Sequence, residues 1–425
     1  MSYKQTLDFL YTKLPMFERQ GPAGIKKDLT NTLTLCSILN NPETKFKSIH
    51  IAGTNGKGSV AHMLASIMQE AGYKTGLYVS PHYKDFGERI RVNGKYISKA
   101  YVTKFVTGAQ KMIQEVRPSF FEITVAMAFK YFADKKIDIA IIETGLGGRL
   151  DSTNIITPIL SIITNISFDH QNLLGNTLQE IAFEKAGIIK PHIPILIGEY
   201  QQKVFHVFSS KAKENESKIQ IASKLGKVMT QATKERYVYK SAQNKYLKLD
   251  MPYHGPYQEK NINTVIQSIN WINKISEIKV SEIALKNGFR NLDQNVPLIG
   301  RFQIINSHPF TIADGAHNKA GLKLLFEKIK KLKIRQVHCV FGTVKDKDYN
   351  AVIKLLPKEF IYYFVKADLP RALEDKELTD LAIQQKRKGM ACGKVKQGLK
   401  QATFAAAKND VVLVTGSIYV VGEVV

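Results

Sequence analysis

"HIAGTNGKGSV", His50 to Val60, decides how the rest of the chain is read. Upstream, "FKSIHIAGT" is an apolar, β-branched run that predicts a strand. Downstream, "SVAHMLASIMQEAG" has helical spacing, with Gly72 near its end. Between them Gly53, Gly56 and Gly58 carry no Cβ, so backbone N–H groups are able to turn inward around phosphate oxygens. The N-terminus of the helix that follows adds partial positive charge. Lys57 offers an ammonium to β- and γ-phosphate oxygens, and Ser59 offers a hydroxyl to Mg2+ or to a phosphate. The loop Thr54, Asn55, Gly56, Lys57, Gly58, Ser59 is therefore expected to bind ATP. Gly58 separates Lys57 from Ser59, a departure from the usual G-x-x-x-x-G-K-[ST], and a plain glycine-rich turn is the alternative.

The neighbouring stretches extend the pattern. "KTGLYVSPH" reads as the next strand, and "IDIAIIETGLGG", "TPILSIITNIS" and "IPILIGEY" are nearly continuous apolar runs, as in strands covered on both faces. Strand, helix, strand in this order predicts an α/β fold with a doubly wound, mostly parallel sheet. Ligands on such sheets collect at the carboxyl ends of the strands, where the Gly-rich and acidic motifs fall. A second α/β set follows "NVPLIGRFQII": "FTIADGAHN", the helical "KAGLKLLFEKIKKL", "RQVHCVFGTV", "FIYYFVKA", the helical "KELTDLAIQQKRKG" and "DVVLVTGS". Two domains are expected, 1–295 with the phosphate loop and a smaller Rossmann-like 296–425. The Lys-rich stretch Gln201 to Asp250 reads as a β-like excursion of the first.

Composition narrows the class. The 425 residues are 44% hydrophobic and 23% charged, the balance of a globular protein with a substantial core. Lys plus Arg number 61 against 37 for Asp plus Glu, a net charge of +24 that admits nucleic acid, membrane headgroups or small polyanions as partners. The basic residues are dispersed, and only "KERYVYK" (Lys234 to Lys240) interleaves aromatics, with an alternation that suits an ordinary strand equally well. Small anions are the better expectation, with neither nucleic acid nor membrane as partner. Cys36, Cys339 and Cys392 suggest no disulfide framework or zinc site and suit a reducing cytoplasm. The N-terminus reads as an amphipathic helix without a signal-peptide core, and "VVLVTGSIYVVGEVV" is too short and interrupted to span a bilayer.

"AGTNGKGSV" resembles the ATP loop of folylpolyglutamate synthase and dihydrofolate synthase, members of the Mur ligase superfamily. Further stretches match in order: "YVSPHYKDFGERIRVNG", "FFEITVAMAF", "ETGLGGRLDSTN", "SFDHQNLLGNTLQEIAFEKAGIIKP", "GRFQ" and "ADGAHN", with weaker likeness from "VFGTVKDKD" onward. The resemblance implies a central domain of Mur ligase type and a C-terminal glutamate ligase domain. It implies an ATP-dependent ligase that adds L-glutamate to the γ-carboxyl of a folate through an acyl phosphate, with dihydropteroate as a second acceptor. A monomer is expected, with the active site in a cleft between the domains.

The resemblance makes Ser80, Glu143 and His170 the Mg2+ ligands; each follows a predicted strand, and a histidine in isolation is more often structural. It makes Lys185 a carbamylated lysine, against the alternative of a snorkelling surface side chain. "GPYQEKN" resembles a family G-x-H-Q-x-x-N, with Tyr257 where histidine is usual; Asn261 is then an adenine contact. Arg301 is expected on ATP phosphates, Asp314 on the ribose or phosphate side, and His317 beside the incoming amino acid. The "FFEIT" residues Phe121, Glu122, Ile123 and Thr124, and Asp151, Ser152 and Thr153 of "RLDST", resemble loops that hold the pterin-bearing substrate; core packing of Phe120 and Phe121 is the alternative. "SPHYKDFGERI" resembles a mobile loop over the same pocket. The rivals are a non-catalytic, basic nucleotide- or RNA-binding protein and a peptidoglycan-precursor Mur ligase. The second is expected to need an extra N-terminal domain, for which the 52 residues before Gly53 are too few.

Overall fold

The apolar runs on either side of the glycine-rich loop become the middle of one large sheet. In the computed structural model all residues are described except 17, 18, 20, 22–27, 232–235, 333 and 346–348, so part of "KERYVYK" and of "VFGTVKDKD" lies outside the described residues. Strands β1 (Lys47–Ala52), β2 (Thr75–Tyr78), β3 (Ile90–Val92), β4 (Lys95–Tyr96), β5 (Ile139–Glu143), β6 (Leu160–Ile163), β7 (Ile195–Ile197) and β8 (Ile219–Ile221) are ordered β4-β3-β2-β5-β1-β6-β7-β8. Six of them, from β2 across to β8, run parallel, and only β3 and β4 pair antiparallel. β1 and β5 are central and almost wholly buried, which is why their sequences are apolar on both faces. The carboxyl end of β1 leads into the glycine-rich loop, and helix Lys57–Glu70 starts from it with ten buried residues.

A three-stranded antiparallel sheet, β9 (Gly226–Gln231), β10 (Arg236–Ser241) and β11 (Tyr246–Leu249), follows. The stretch Gln201 to Asp250 is thus only partly β: it opens with helix Gln202–Glu214, which buries Val204, Phe208 and Ala212 at four-residue spacing. That spacing is helical, but three lysines and polar neighbours dilute it. Helix Gln258–Ile275 comes next and packs on β9.

The second sheet contains β12 (Gln303–Ser307), β13 (Phe310–Ala313), β14 (Val337–Phe341), β15 (Ile361–Lys366), β16 (Lys388–Lys394) and β17 (Val411–Thr415) in the order β12-β13-β17-β14-β15-β16. All pairs but β12–β13 are parallel. The stretch "KELTDLAIQQKRKG" is helical only to Gln384, and its last two residues open β16; helix Val395–Ala405 belongs to no sequence-predicted element, and β16 alternates around lysines and glycines with one buried position, too little apolar signal to read. The fold class is the α/β, doubly wound architecture expected. Two compact units result: Met1–Ser167, Gln171–Pro252 and Gln258–Leu298 form one, and Phe168–His170, Tyr253–Tyr257 and Ile299–Val425 the other. Among the described residues no helix is long and apolar enough to cross a membrane.

Candidate active site

In the first unit the glycine-rich loop is sewn to the end of β6. Thr54 N donates to Asn165 O at 2.8 Å, Asn55 N to Asn165 Oδ1 at 3.2 Å, and Ser167 N to Thr54 Oγ1 at 3.0 Å. Thr164 Oγ1 and Asn165 Nδ2 both donate to Asn55 O, at 2.7 and 2.9 Å. Gly53 has φ +143° and a Cβ there would strike Thr164; Gly56 has φ +88° and a Cβ would strike the Asn261 amide. Both positions therefore require glycine. Gly56 is also the N-cap of helix Lys57–Glu70 and offers no side-chain cap, so the first-turn N–H groups stay available to an anion.

Two ammonium groups converge on one carbonyl of this loop. Lys57 Nζ donates to Gly53 O at 3.1 Å and to Thr54 O at 3.5 Å, and Lys185 Nζ reaches Gly53 O at 2.9 Å. Lys185, on helix Leu178–Ala186, is 4% exposed, so the snorkelling surface alternative does not describe it. Ser59 is buried, and its hydroxyl has no hydrogen-bond partner among the described residues. Glu143 ends β5 as a carboxylate 5% exposed; Ser80 N donates to its Oε2 at 3.3 Å, and Gly58 lies beside it. A carboxylate this deep is costly without a cation. A buried carboxylate and an unpartnered hydroxyl beside a phosphate-type loop fit a divalent ion completed by nucleotide oxygens. Among the described residues no group of three His, Cys, Asp or Glu would hold a metal unaided. Asn261, 4% exposed, donates through Nδ2 to Gln258 Oε1 at 2.9 Å.

The residues expected around a pterin lie in the same unit, and Phe121 to Thr124 sit on a helix, not on a loop. Phe120–Asp134 is a helix, started by a capping box in which Ser119 and Glu122 bond reciprocally. Glu122 Oε2 accepts from Ser119 N at 2.6 Å and Asn31 Nδ2 at 3.2 Å, while its buried Oε1 has no partner among the described residues. Ile123 and Thr124 are fully buried, and Thr124 Oγ1 donates to Phe120 O at 2.6 Å. Phe120 is core; Phe121 is half-buried, against Gly145 and 6.2 Å from the Tyr78 ring. Asp151 caps the short 3-10 turn Ser152–Ile155, accepting from Leu146 N at 2.8 Å and Thr153 N at 3.0 Å. Burial raises its pKa, and those bonds oppose the rise. Thr153 Oγ1 lies 2.9 Å from His50 Nε2, and burial, aided by the Lys190 charge, lowers the His50 pKa to about 3. "SPHYKDFGERI" is internally clasped: Glu88 accepts from the backbone N–H of Tyr83, Lys84 and Asp85.

The second unit gathers the remaining candidates. His317 Nδ1 lies 2.9 Å from Gly315 O and its Nε2 3.1 Å from Asp169 Oδ2; Asn318 Nδ2 donates to that same oxygen at 3.2 Å. His170, expected as a metal ligand, belongs to this unit too, with Nε2 3.8 Å from Asp169 Oδ1 and φ +50°. Asp169 was not singled out by sequence, although it stands next to His170 in "SFDH" and 148 residues from its histidine partner. Asp314 is 1% exposed; it accepts from Tyr257 Oη at 2.6 Å and Phe302 N at 2.8 Å on Oδ2, and from Ala316 N at 2.8 Å on Oδ1. Burial raises its pKa, against the Tyr257 bond and the Arg301 charge.

Known domains and structures place the whole. Residues 51–309 match the model of the Mur ligase middle domain, and 300–418 that of the Mur ligase glutamate ligase domain. A glycine-rich nucleotide loop on a doubly wound sheet, followed by a second α/β unit, is thus the architecture of a Mur ligase. A dihydrofolate synthase/folylpolyglutamate synthase of Bacillus subtilis is 35% identical over 414 residues, covering 94% of this chain and 95% of that protein. Escherichia coli FolC, solved in complex with DHPP and ADP, superposes with a TM-score of 0.86 at 27% identity, covering 100% of this chain and 97% of that one. A bifunctional folylpolyglutamate synthase/dihydrofolate synthase of Yersinia pestis, complexed with AMPPNP and Mn ion, gives 0.85 at 26%, covering 100% and 97%. The chain belongs to the dihydrofolate synthase/folylpolyglutamate synthase family of the Mur ligase superfamily.

Proposed function

We infer that this chain is an ATP-dependent ligase joining the γ-carboxyl of a folate's terminal glutamate to the amine of free L-glutamate. The observation that carries the reading is the loop at the end of β1: glycines at positive φ, an uncapped helix N-terminus, Lys57, an unpartnered Ser59 hydroxyl and the buried Glu143. A carboxylate is a poor electrophile, so its oxygen first attacks the γ-phosphorus of ATP, the bond to ADP breaks and an acyl phosphate forms. The glutamate amine then attacks the acyl carbon, the C–N bond forms, inorganic phosphate leaves and a proton is released.

Thr54 to Ser59 cradle the phosphates, and Lys57 leaves its resting carbonyls to neutralise charge on the transferring group. Arg301 adds its fixed guanidinium fork to that charge, and Asp314 contacts the nucleotide. Asn261 bonds the adenine. Ser80, Glu143 and His170 would hold Mg2+, whose chemistry when bound is to draw charge from phosphate oxygens. His317, oriented by Asp169, positions the incoming amino acid. Lys185 is proposed to be carbamylated, which turns a buried cation into an anion near the metal. Phe121, Glu122, Ile123, Thr124, Asp151, Ser152 and Thr153 form the pterin wall; in it Phe121 stacks and the free Glu122 Oε1 accepts a ring N–H.

Dihydropteroate is a second acceptor by the same chemistry, favoured by the bifunctional names of the relatives from Bacillus subtilis, Haemophilus influenzae and Escherichia coli. The reading is tested by ADP release from Mg2+-ATP with L-glutamate and either tetrahydrofolate or dihydropteroate. Release that requires both glutamate and an acceptor supports it; release indifferent to both contradicts it.

A further inference from the structure

His50 lies in β1, just before the phosphate loop, and the ligase chemistry makes no use of it. The ring is fully buried, with Nε2 2.9 Å from Thr153 Oγ1. Thr153 Oγ1 in turn donates to Asp151 Oδ1. A hydroxyl has one proton, and this one is spent on the carboxylate, so toward the ring the Thr153 oxygen accepts. Burial and the Lys190 charge keep His50 neutral, with a single N–H to place. That proton therefore sits on Nε2. The buried Nδ1 is left bare, with no hydrogen-bond partner among the described residues. An unpaired buried acceptor costs stability, a cost that an apolar side chain of similar size would avoid. What the histidine contributes in return is the donor on its other nitrogen.

Asp151, at the far end of this chain of bonds, is itself buried and holds a turn together. Its Oδ2 accepts from Leu146 N at 2.8 Å, its Oδ1 from Thr153 N at 3.0 Å, and the Gly145 N–H acts on the same carboxylate. Gly145 is the seat of Phe121: a Cβ there would lie 2.4 Å from Phe121 Cζ. A run of contacts within the first unit thus leads from His50 through Thr153, Asp151 and Gly145 to the Phe121 ring. With an apolar side chain at position 50, the Thr153 hydroxyl is no longer committed to Asp151, and the turn under Phe121 loses a fixed anchor. We propose that His50 is a positioning residue for the acceptor: its Nε2–H commits the Thr153 hydroxyl to Asp151, and Asp151 holds the Gly145 backbone on which the Phe121 ring rests. This rests on the reading that Phe121 stacks on the pterin. A hydrogen-bond chain that ends on a charged group is worth about a tenfold change in affinity.

The test has two readouts on the full chain, with melting temperature measured alongside. In long-range 1H–15N spectra at about pH 7, His50, identified by its absence in His50→Gln, is expected as a neutral ring protonated on Nε2. Protonation on Nδ1, or a charged ring, overturns the proposal whatever the pocket binds. In steady-state assays His50→Leu is expected to raise the KM for tetrahydrofolate or dihydropteroate about tenfold and to leave those for Mg2+-ATP and glutamate within about twofold. His50→Gln keeps an amide N–H at the Nε2 position and is expected to stay within about threefold of wild type for every substrate. Phe121→Ala tells the two readings apart. If it raises the acceptor KM while His50→Leu stays within about twofold of wild type, the positioning role is overturned and the Phe121 reading stands. If neither variant raises it, the Phe121 reading fails and the proposal falls with it. A rise in His50→Leu shared by all three substrates is a general packing defect and overturns the role as well. Should His50→Leu not fold, Thr153→Val decides by the same split: a rise confined to the acceptor supports the role, and an unchanged acceptor KM overturns it.

Discussion

Lys57 Nζ rests on Gly53 O and Thr54 O, bonds it has to exchange for phosphate oxygens when nucleotide enters. Lys57→Ala therefore removes charge from the transferring group without opening a core cavity. Turnover is expected to fall roughly 100- to 1,000-fold, with the melting temperature nearly unchanged, by ADP-release assay and thermal denaturation. Gly56→Ala acts on the backbone instead: φ +88° and the Asn261 amide both oppose a Cβ, so unfolding free energy is expected to drop by roughly 1–3 kcal/mol in denaturant titration. For Lys185, a 13C-bicarbonate NMR signal present in the native chain and absent in Lys185→Ala is expected; no such signal in the native chain removes the carbamate. The glycines and Lys57 were legible because one short motif contains them, and Glu143 because it closes the apolar run of "IDIAIIETGLGG". The Asp169–His317 pair and the Tyr257–Asp314 bond were not, because 148 and 57 residues separate the partners and no local pattern marks them.

At the level of elements, β1, β5 and β6 were readable because a strand covered on both faces has few polar positions to blur it. Helix Gln202–Glu214 was obscured by its lysines. The resemblance implies a loop at the start of helix Phe120–Asp134, although Ser119 and Glu122, three apart, spell a capping box before an apolar run. β1 also carries a histidine with consequences for stability. His50 is wholly buried and neutral in the fold, with its pKa lowered to about 3, whereas an unfolded chain protonates it near 6.5. Below about pH 6.5 the unfolded state binds a proton that the folded state refuses, so stability is lost as pH falls from there toward 3. A His50→Gln variant is expected to lose less stability than wild type between pH 6.5 and 4.5 in urea titrations; equal losses contradict this.

Across the whole molecule, the net charge of +24 was legible from composition, and its distribution over both units suits substrates that gain a carboxylate with every turnover. Raising salt from about 50 to 200 mM is expected to raise KM more for folates bearing several glutamates than for the monoglutamate, in steady-state assays. The α/β class of both units was equally legible, since strand–helix alternation spans the chain; the small antiparallel sheet β9–β11 was legible only as a β-like tendency. The central claim is that the buried Glu143, at the end of β5 beside the phosphate loop, serves a divalent ion bound with ATP. Its most direct measurement is glutamate- and folate-dependent ADP release as Mg2+ is titrated, in wild type and Glu143→Gln. Wild type is expected to show Mg2+-dependent turnover and the variant, still folded, to lose it by roughly 100-fold or more. Mg2+-independent release in wild type, or a variant that keeps near-normal turnover, would contradict it.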